Sequence, residues 1–166
     1  MLAYVIHDED DGNTRMAGLA RRLAARGLRL AGAVQTNLNR GADCACDMEL
    51  TVLGADAAPI RISQSLGAGS QGCRLDTDAL ERAAALAAQG LEGADLALVN
   101  KFGKQEAAGR GFRDLIAAAL AEEIPLLIAV APELVPAFIE FAGDYATPLI
   151  WPEAEAWCRA RQPADA

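Results

Sequence analysis

An apolar run from Leu96 to Val99 ends in Asn100 and Lys101, and Lys104, Gly109, Arg110 and Gly111 follow closely. Lysine and arginine beside glycines at the start of a helix make an anion site, because the side chains supply positive charge and glycine lets main-chain N–H groups approach an oxyanion. Gln35, at the end of an earlier apolar run, and Asn100 would add neutral hydrogen bonds. Arg74 lies just beyond a glycine-rich stretch and is a fourth cation that a loop would carry toward the same place. The competing reading pairs these cations with the acidic loop that follows the first strand, an internal exchange of salt bridges in a site that has lost its ligand.

Acids follow the first apolar run, in HDEDDGNT, His7 to Thr14. A phosphate-binding loop needs glycine, four residues, glycine, lysine, and then serine or threonine. Its main-chain N–H groups cradle phosphate, its lysine neutralises it, and its hydroxyl holds magnesium. Here His7 takes the first glycine's place, Gly12 and Thr14 keep theirs, and Asn13 replaces the lysine. Asp8, Glu9, Asp10 and Asp11 fill the middle. Each carboxylate within reach opposes a triphosphate by about 1 to 4 kcal/mol at ~4 Å, depending on the local dielectric, so ordinary nucleotide binding is not expected at this loop. A solvated turn whose acids favour a helix N-terminus and a cation site built from carboxylates both remain open. His7 reads equally as hydrogen-bonded structure.

A third stretch, QSLGAGSQGCRLD, holds Gly67, Gly69 and Gly72 in the G-x-G-x-x-G spacing of dinucleotide-binding turns. That motif should follow the first strand of a βαβ unit and run directly into a helix, which this one does not, so it reads as a mobile loop carrying Arg74. Cys44, Cys46 and Cys73 are weak candidates for a metal site: C-x-C is tighter than zinc spacing, no histidine lies nearby, and buried or idle thiols compete. Cys158 reads as structural, and Trp151 and Trp157 as packing or a partner surface.

Alternating strands and helices must position these residues. LAYVIH reads as a strand, TRMAGLARRLAARGL as a helix with Met16, Leu19 and Leu23 on one face and Gly27 as its stop, and LRLAGAVQTN as a second strand. DMELTVLGADAAPIRISQSL alternates apolar and polar residues around Gly54 and Pro59, which predicts an inserted β-hairpin over about 47–65. A helix follows, with Asp78 and Glu81 spaced as a capping box and Gly90 closing it. ADLALVN, GFRDLIAAALAEE, PLLIAVA, PELVPAFIEFAG, TPLIW and PEAEAWCRAR then alternate strand and helix to the end. The pattern predicts one α/β domain over 1–162 with a tail at 163–166: a three-layer, mostly parallel sheet of P-loop-like topology with an inserted hairpin. In such sheets ligands sit beyond the carboxyl ends of the strands, where the three clusters fall.

The 166 residues are 52% hydrophobic but only 5% aromatic, which implies aliphatic strands under alanine-rich helices. A formal net charge of -8 opposes non-specific binding to nucleic acid or anionic lipid while leaving room for a local cationic pocket. No segment reads as a membrane span or export signal, and four cysteines without such a signal suggest free thiols in a reducing cytoplasm.

VNKFGKQE resembles the I-D-E-I-G-x-M-E run of the thermophilic-type nucleoside triphosphatases, with Phe102, Gly103 and Glu106 matching and both catalytic acids replaced by Asn100 and Lys101. Over nearly its full length, and above all in GCRLD and NKFGKQEAAGRGF, the chain resembles the bacterial domain-of-unknown-function family 2478. Gln35, Cys73, Arg74, Asp76, Asn100 to Lys104, Glu106 and Gly109 to Gly111 lie in the motifs that carry this resemblance. The resemblance implies a relative of the P-loop nucleoside triphosphatases and of the adaptor that accompanies molybdopterin dinucleotide synthesis, often labelled molybdenum-transport-associated. The expectation is a binding or accessory protein without hydrolysis, holding molybdate, another oxyanion or a phosphorylated cofactor. A residual nucleoside triphosphatase using Glu106, and an interaction module binding a protein or a second copy of the chain, are the rivals.

Overall fold

The computed structural model of the chain describes residues 1–7, 11–38, 47–64 and 74–164, with the side chain of Arg74 outside that description. The elements in order are β1 (Leu2–Ile6), α1 (Gly12–Ala25), β2 (Leu30–Leu38), β3 (Asp47–Val52), β4 (Ile60–Arg61), β5 (Ser63–Gln64) and β6 (Arg74–Leu75). They continue with α2 (Thr77–Gln89), β7 (Leu96–Phe102), α3 (Lys104–Ala107), α4 (Arg113–Ala121), β8 (Leu126–Val130), α5 (Val135–Ala142), β9 (Ala146–Pro148) and α6 (Trp151–Arg159).

A seven-stranded sheet has the order β4-β3-β2-β7-β8-β1-β9. Strands β2, β7, β8, β1 and β9 run parallel, as the alternation of elements predicts. LALV and LLIAV are apolar without a break because these central strands are buried on both faces. Helices α1 and α6 pack on one face through Met16, Leu19, Leu23, Ala154 and Cys158. Helices α2, α4 and α5 cover the other through Leu80, Ala83, Leu115, Ile116 and Phe138. The neighbours β1 and β8 send the chain in opposite directions, β1 through α1 to β2 and β8 through α5 to β9. A crevice opens at the carboxyl edge where such paths diverge.

The predicted hairpin is present as β3 and β4, but it is not a free appendage. β3 pairs antiparallel with β2 from Ala33↔Val52 to Leu38↔Asp47, so the hairpin extends the main sheet. Ser63 and Gln64, assigned to the same hairpin by sequence, leave that sheet as β5 and pair with β6. The capping box predicted at Asp78 and Glu81 is corrected: Asp76 caps α2, its carboxylate accepting from the Ala79 N–H at 3.1 Å, and Glu81 bonds elsewhere. Asp76 wins because it stands in the extended backbone conformation a cap needs, whereas Asp78 is already inside the first turn.

β7 contains an extra residue. Val99 pairs with Ile128 and Phe102 with Val130, so Asn100 and Lys101 oppose the single residue Ala129. Alternation alone would send Phe102 to the face of Leu96 and Leu98, which pack toward α1. Phe102 instead joins Ala97 and Val99 on the opposite face, edge-on to Phe138 with ring centroids 5.2 Å apart. A one-residue bulge accounts for the reversal.

Gly32 packs β2 against β7 with a positive φ of 99°. A Cβ there would collide with the Leu98 carbonyl. Gly32→Ala is therefore expected to lose about 3 kcal/mol or more, from overpacking together with a left-handed backbone, read as a lower urea midpoint at unchanged slope.

Candidate functional site

The bulge delivers Asn100 and Lys101 to the carboxyl edge of the sheet together. Asn100 is 3% exposed and sits on the α1 side, where it meets Asn13 in the first turn of α1. Lys101 is half-buried.

A directed chain of hydrogen bonds ties this edge together. The Gln35 main-chain N–H, which can only donate, bonds to Asn100 Oδ1 at 3.0 Å and so fixes that amide's orientation. Asn100 Nδ2 must then donate to Asn13 Oδ1, at 2.7 Å. Asn13 Oδ1 in turn accepts from His7 Nε2 at 3.0 Å, which assigns the proton to Nε2 when the imidazole is neutral. The His7 ring is 2% exposed and lies so near Gly12 that a Cβ there would come within 3.0 Å of it. Asn13 itself lines the crevice.

A second set of bonds shapes the turn after β7. Glu106 is 4% exposed, and its Oε2 accepts from the Gly103 N–H at 3.2 Å while its Oε1 accepts more distantly from the Phe112 N–H. Burial pushes its carboxyl above the ordinary range, these main-chain N–H groups pull it down, and the nearby Glu81 carboxylate adds to the rise. Gly111 has φ 62°, and a Cβ there would come within 2.6 Å of Glu106 Oε1. Its N–H donates to Glu81 Oε1 at 2.6 Å. Arg113 lies over the Phe141 ring, 4.4 Å from its centroid, and donates to the Glu106 carbonyl oxygen at 3.2 Å.

A cavity of about 1130 Å³ opens over this edge, and His7, Asn13, Gln35, Asn100, Lys101 and Lys104 all line it. Six residues singled out by sequence are thereby brought together. Three are not: Gly109, Arg110 and Gly111 stand outside the lining. The expectation that the two glycines offer N–H donors to a ligand is corrected, since the Gly109 N–H bonds to the Glu106 carbonyl oxygen and the Gly111 N–H to Glu81. These glycines serve a tight turn around a buried carboxylate. Gly12 and Thr14 also lie outside the lining, Gly12 buried beneath His7 and Thr14 exposed on α1. The side chain of Arg74, the cysteines Cys44, Cys46 and Cys73, the acids Asp8, Glu9 and Asp10, and the glycines Gly67, Gly69 and Gly72 lie outside the described residues.

The rival pairing of the cations with the acidic loop after β1 rests mostly on Asp8, Glu9 and Asp10, which lie outside the described residues; Asp11 pairs with Arg15 at 2.6 Å, and among the described residues no ion pair reaches Lys101, Lys104 or Arg110. Among the described residues no group of three His, Cys, Asp or Glu side chains is placed to hold a metal ion. Cys158 is buried, and burial pushes its thiol up to about 12, in keeping with a structural role. No helix of the described chain is long and apolar enough to cross a membrane. Sequence reasoning missed the apolar half of the cavity, formed by Met48, Leu50, Ile62, Leu75, Leu80 and Phe112. Their alternation identified them as strand and helix residues and said nothing about a shared wall.

With this geometry in hand, the family model described as "Protein of unknown function (DUF2478)" matches residues 2–157. The chain belongs to this family. It is 39% identical over 160 residues to the Molybdenum import ATP-binding protein ModC 2 of Bradyrhizobium diazoefficiens, a match covering 95% of the chain but 18% of that protein. Among solved structures it resembles THEP1 from Aquifex aeolicus, with a TM-score of 0.65 over 91% of this chain and 90% of that one. It also resembles a human cancer-related nucleoside triphosphatase, with a TM-score of 0.62 over 96% and 97%. At 13% identity both likenesses are of fold alone, an α/β architecture built on a mostly parallel sheet.

Two measurements check this account of the edge. Asn13→Ala removes the acceptor shared by Asn100 and His7 and should destabilise by about 1–3 kcal/mol in chemical denaturation. Glu106 should also leave a signature in the pH dependence. Because its native carboxyl is raised, the native state holds the proton more tightly than the unfolded chain, and the associated stability is present at low pH and lost as pH rises through the native value. Glu106→Gln should therefore gain stability relative to the unmodified chain as pH rises through that range, and the difference should shrink as pH falls.

Proposed function

We propose that this DUF2478 chain is an accessory or binding protein that holds a small anion at the carboxyl edge of its sheet and does not hydrolyse nucleotides. One observation carries the reading: Lys101 and Lys104 line a cavity beside neutral amides with no ion-pair partner among the described residues. Cations next to amide donors attract an oxyanion, molybdate or a phosphorylated cofactor among them. The proposed loss of hydrolysis follows from the same edge. Asn13 replaces the lysine of a phosphate loop, and the His7 ring lies over Gly12, where phosphate would need to approach the backbone. Asn100 stands where a magnesium-binding acid would, and its oxygen already accepts from Gln35. Lysine is a poor water-activating base at neutral pH, so Lys101 does not restore the chemistry.

Identity to a protein named for molybdenum import supports molybdate as the first anion to try. This chain spans only 18% of that protein's length, so the domain would act beside an ATP-binding component and not in place of it.

Molybdate, phosphate and sulfate should be titrated into the protein by calorimetry and thermal unfolding, with ATP and magnesium in parallel. An oxyanion at about 100 times its Kd should add about 2.7 kcal/mol of stability. Lys101→Ala should remove most of that gain. Absence of heat with every anion, or ATP turnover lost on Glu106→Gln, would overturn the proposal.

A further inference from the structure

Resting on the anion-binding reading and narrowing it, we infer that the site takes its anion as part of a flat organic body, a heterocyclic monoanion, and not as a bare inorganic ion. Size is the first ground. A tetrahedral oxyanion displaces on the order of two waters, about 60 Å³, whereas the cavity measures about 1130 Å³. A cavity this large suits a drug-sized molecule.

Two parts of the cavity differ in chemistry. One is apolar, built by Met48 and Leu50 of β3, Ile62, Leu75 of β6, Leu80 of α2 and Phe112. A bare oxyanion pressed against that wall would lose its water and find no donors, while a ring would lose nothing and bury apolar surface. The other part is a strip of amides directly beside it, since Gln35 and Asn37 of β2 are the cross-strand partners of Leu50 and Met48. Gln35 and Asn37 are two apart on β2 and therefore share a face, and Gln35 Nε2 donates to Asn37 Oδ1 at 2.9 Å. That bond leaves the Gln35 oxygen as an acceptor and the Asn37 nitrogen as a donor, both on side chains lining the cavity. An adjacent donor and acceptor match the N–H and C=O of a lactam or imide edge.

Charge sets the valence. Among the described lining residues Lys101 and Lys104 are opposed by Glu106 and Glu133, and the Glu106 oxygens are engaged by main-chain N–H groups. Two lysines suit one negative group placed between them, and the carboxylates nearby disfavour a polyphosphate.

Orotate and urate, both flat heterocyclic monoanions, should be titrated into the full chain alongside neutral uracil and inorganic molybdate. Orotate or urate is expected to bind at least tenfold more tightly than molybdate, and uracil about tenfold more weakly than orotate. Leu75→Asn should weaken the heterocycles several-fold and leave molybdate unchanged, with Met48→Gln replacing it if it does not fold, and Gln35→Ala should weaken the heterocycles more than it weakens molybdate. Lys101→Ala should weaken every anion. If molybdate binds more tightly than either heterocycle, or if Gln35→Ala and the wall variant leave the heterocycles untouched, this inference fails and the oxyanion reading stands. If no anion binds, both fail.

Discussion

One extra residue in β7 decides what the carboxyl edge can be. Without the bulge at Asn100 and Lys101, Phe102 would turn toward α1 and leave the Phe138 and Phe141 rings it now packs between. With it, Asn100 meets Asn13 on one side of the sheet while the chain beyond re-enters the core on the other. A bulge disrupts one rung of the ladder, and here the aromatic cluster around Phe102 offsets that loss by burying a large side chain completely.

The bulge also places an amide where burial would be costly for a charge. His7, Asn13 and Asn100 bond to one another in a sequence whose direction is set by a main-chain donor. Amides satisfied this way cost little to bury, whereas an ionised carboxylate in place of Asn100 would need a cation or a metal beside it. Positive charge is confined to the more accessible side of the site, with Lys101 half-buried and Lys104 exposed. A chain of formal charge -8 thus sets two lysines at one edge of its sheet.

The layers were legible in the sequence because they rest on period and composition. Unbroken apolar runs at Leu96–Val99 and Leu126–Val130 can only be central strands, and Met16, Leu19 and Leu23 can share one face only on a helix. The gathering of Asn13, Gln35, Asn100 and Lys101 was legible too, since each follows or ends a parallel strand. The bulge was not, because an added residue leaves no mark in a run apolar on both faces. The roles of Gly109 and Gly111 were misread for a related reason. Glycine before a helix fits a ligand loop and a strained turn equally well, and only the position of the Glu106 carboxylate against Gly111 separates the two. The cap of α2 was displaced to Asp76 because the rule names residue types and spacing, while backbone conformation chooses among the acids available.

The turn around Glu106 governs how any anion would be held. A phosphate loop grips its ligand mainly through main-chain N–H groups, which are rigid and numerous. Here the N–H groups of Gly103, Gly109, Gly111 and Phe112 are already bonded, three of them to carboxylates of the chain itself and one to a carbonyl. These hydrogen bonds are used inside the turn itself. Grip must then come from side chains: two flexible lysines, a few amides and the apolar wall. Lysine is a point charge on a mobile stem and imposes little geometry. Discrimination would then fall to the amides on β2 and the side chains of β3, β6 and α2, which are carried on sheet and helix and not on long flexible stems.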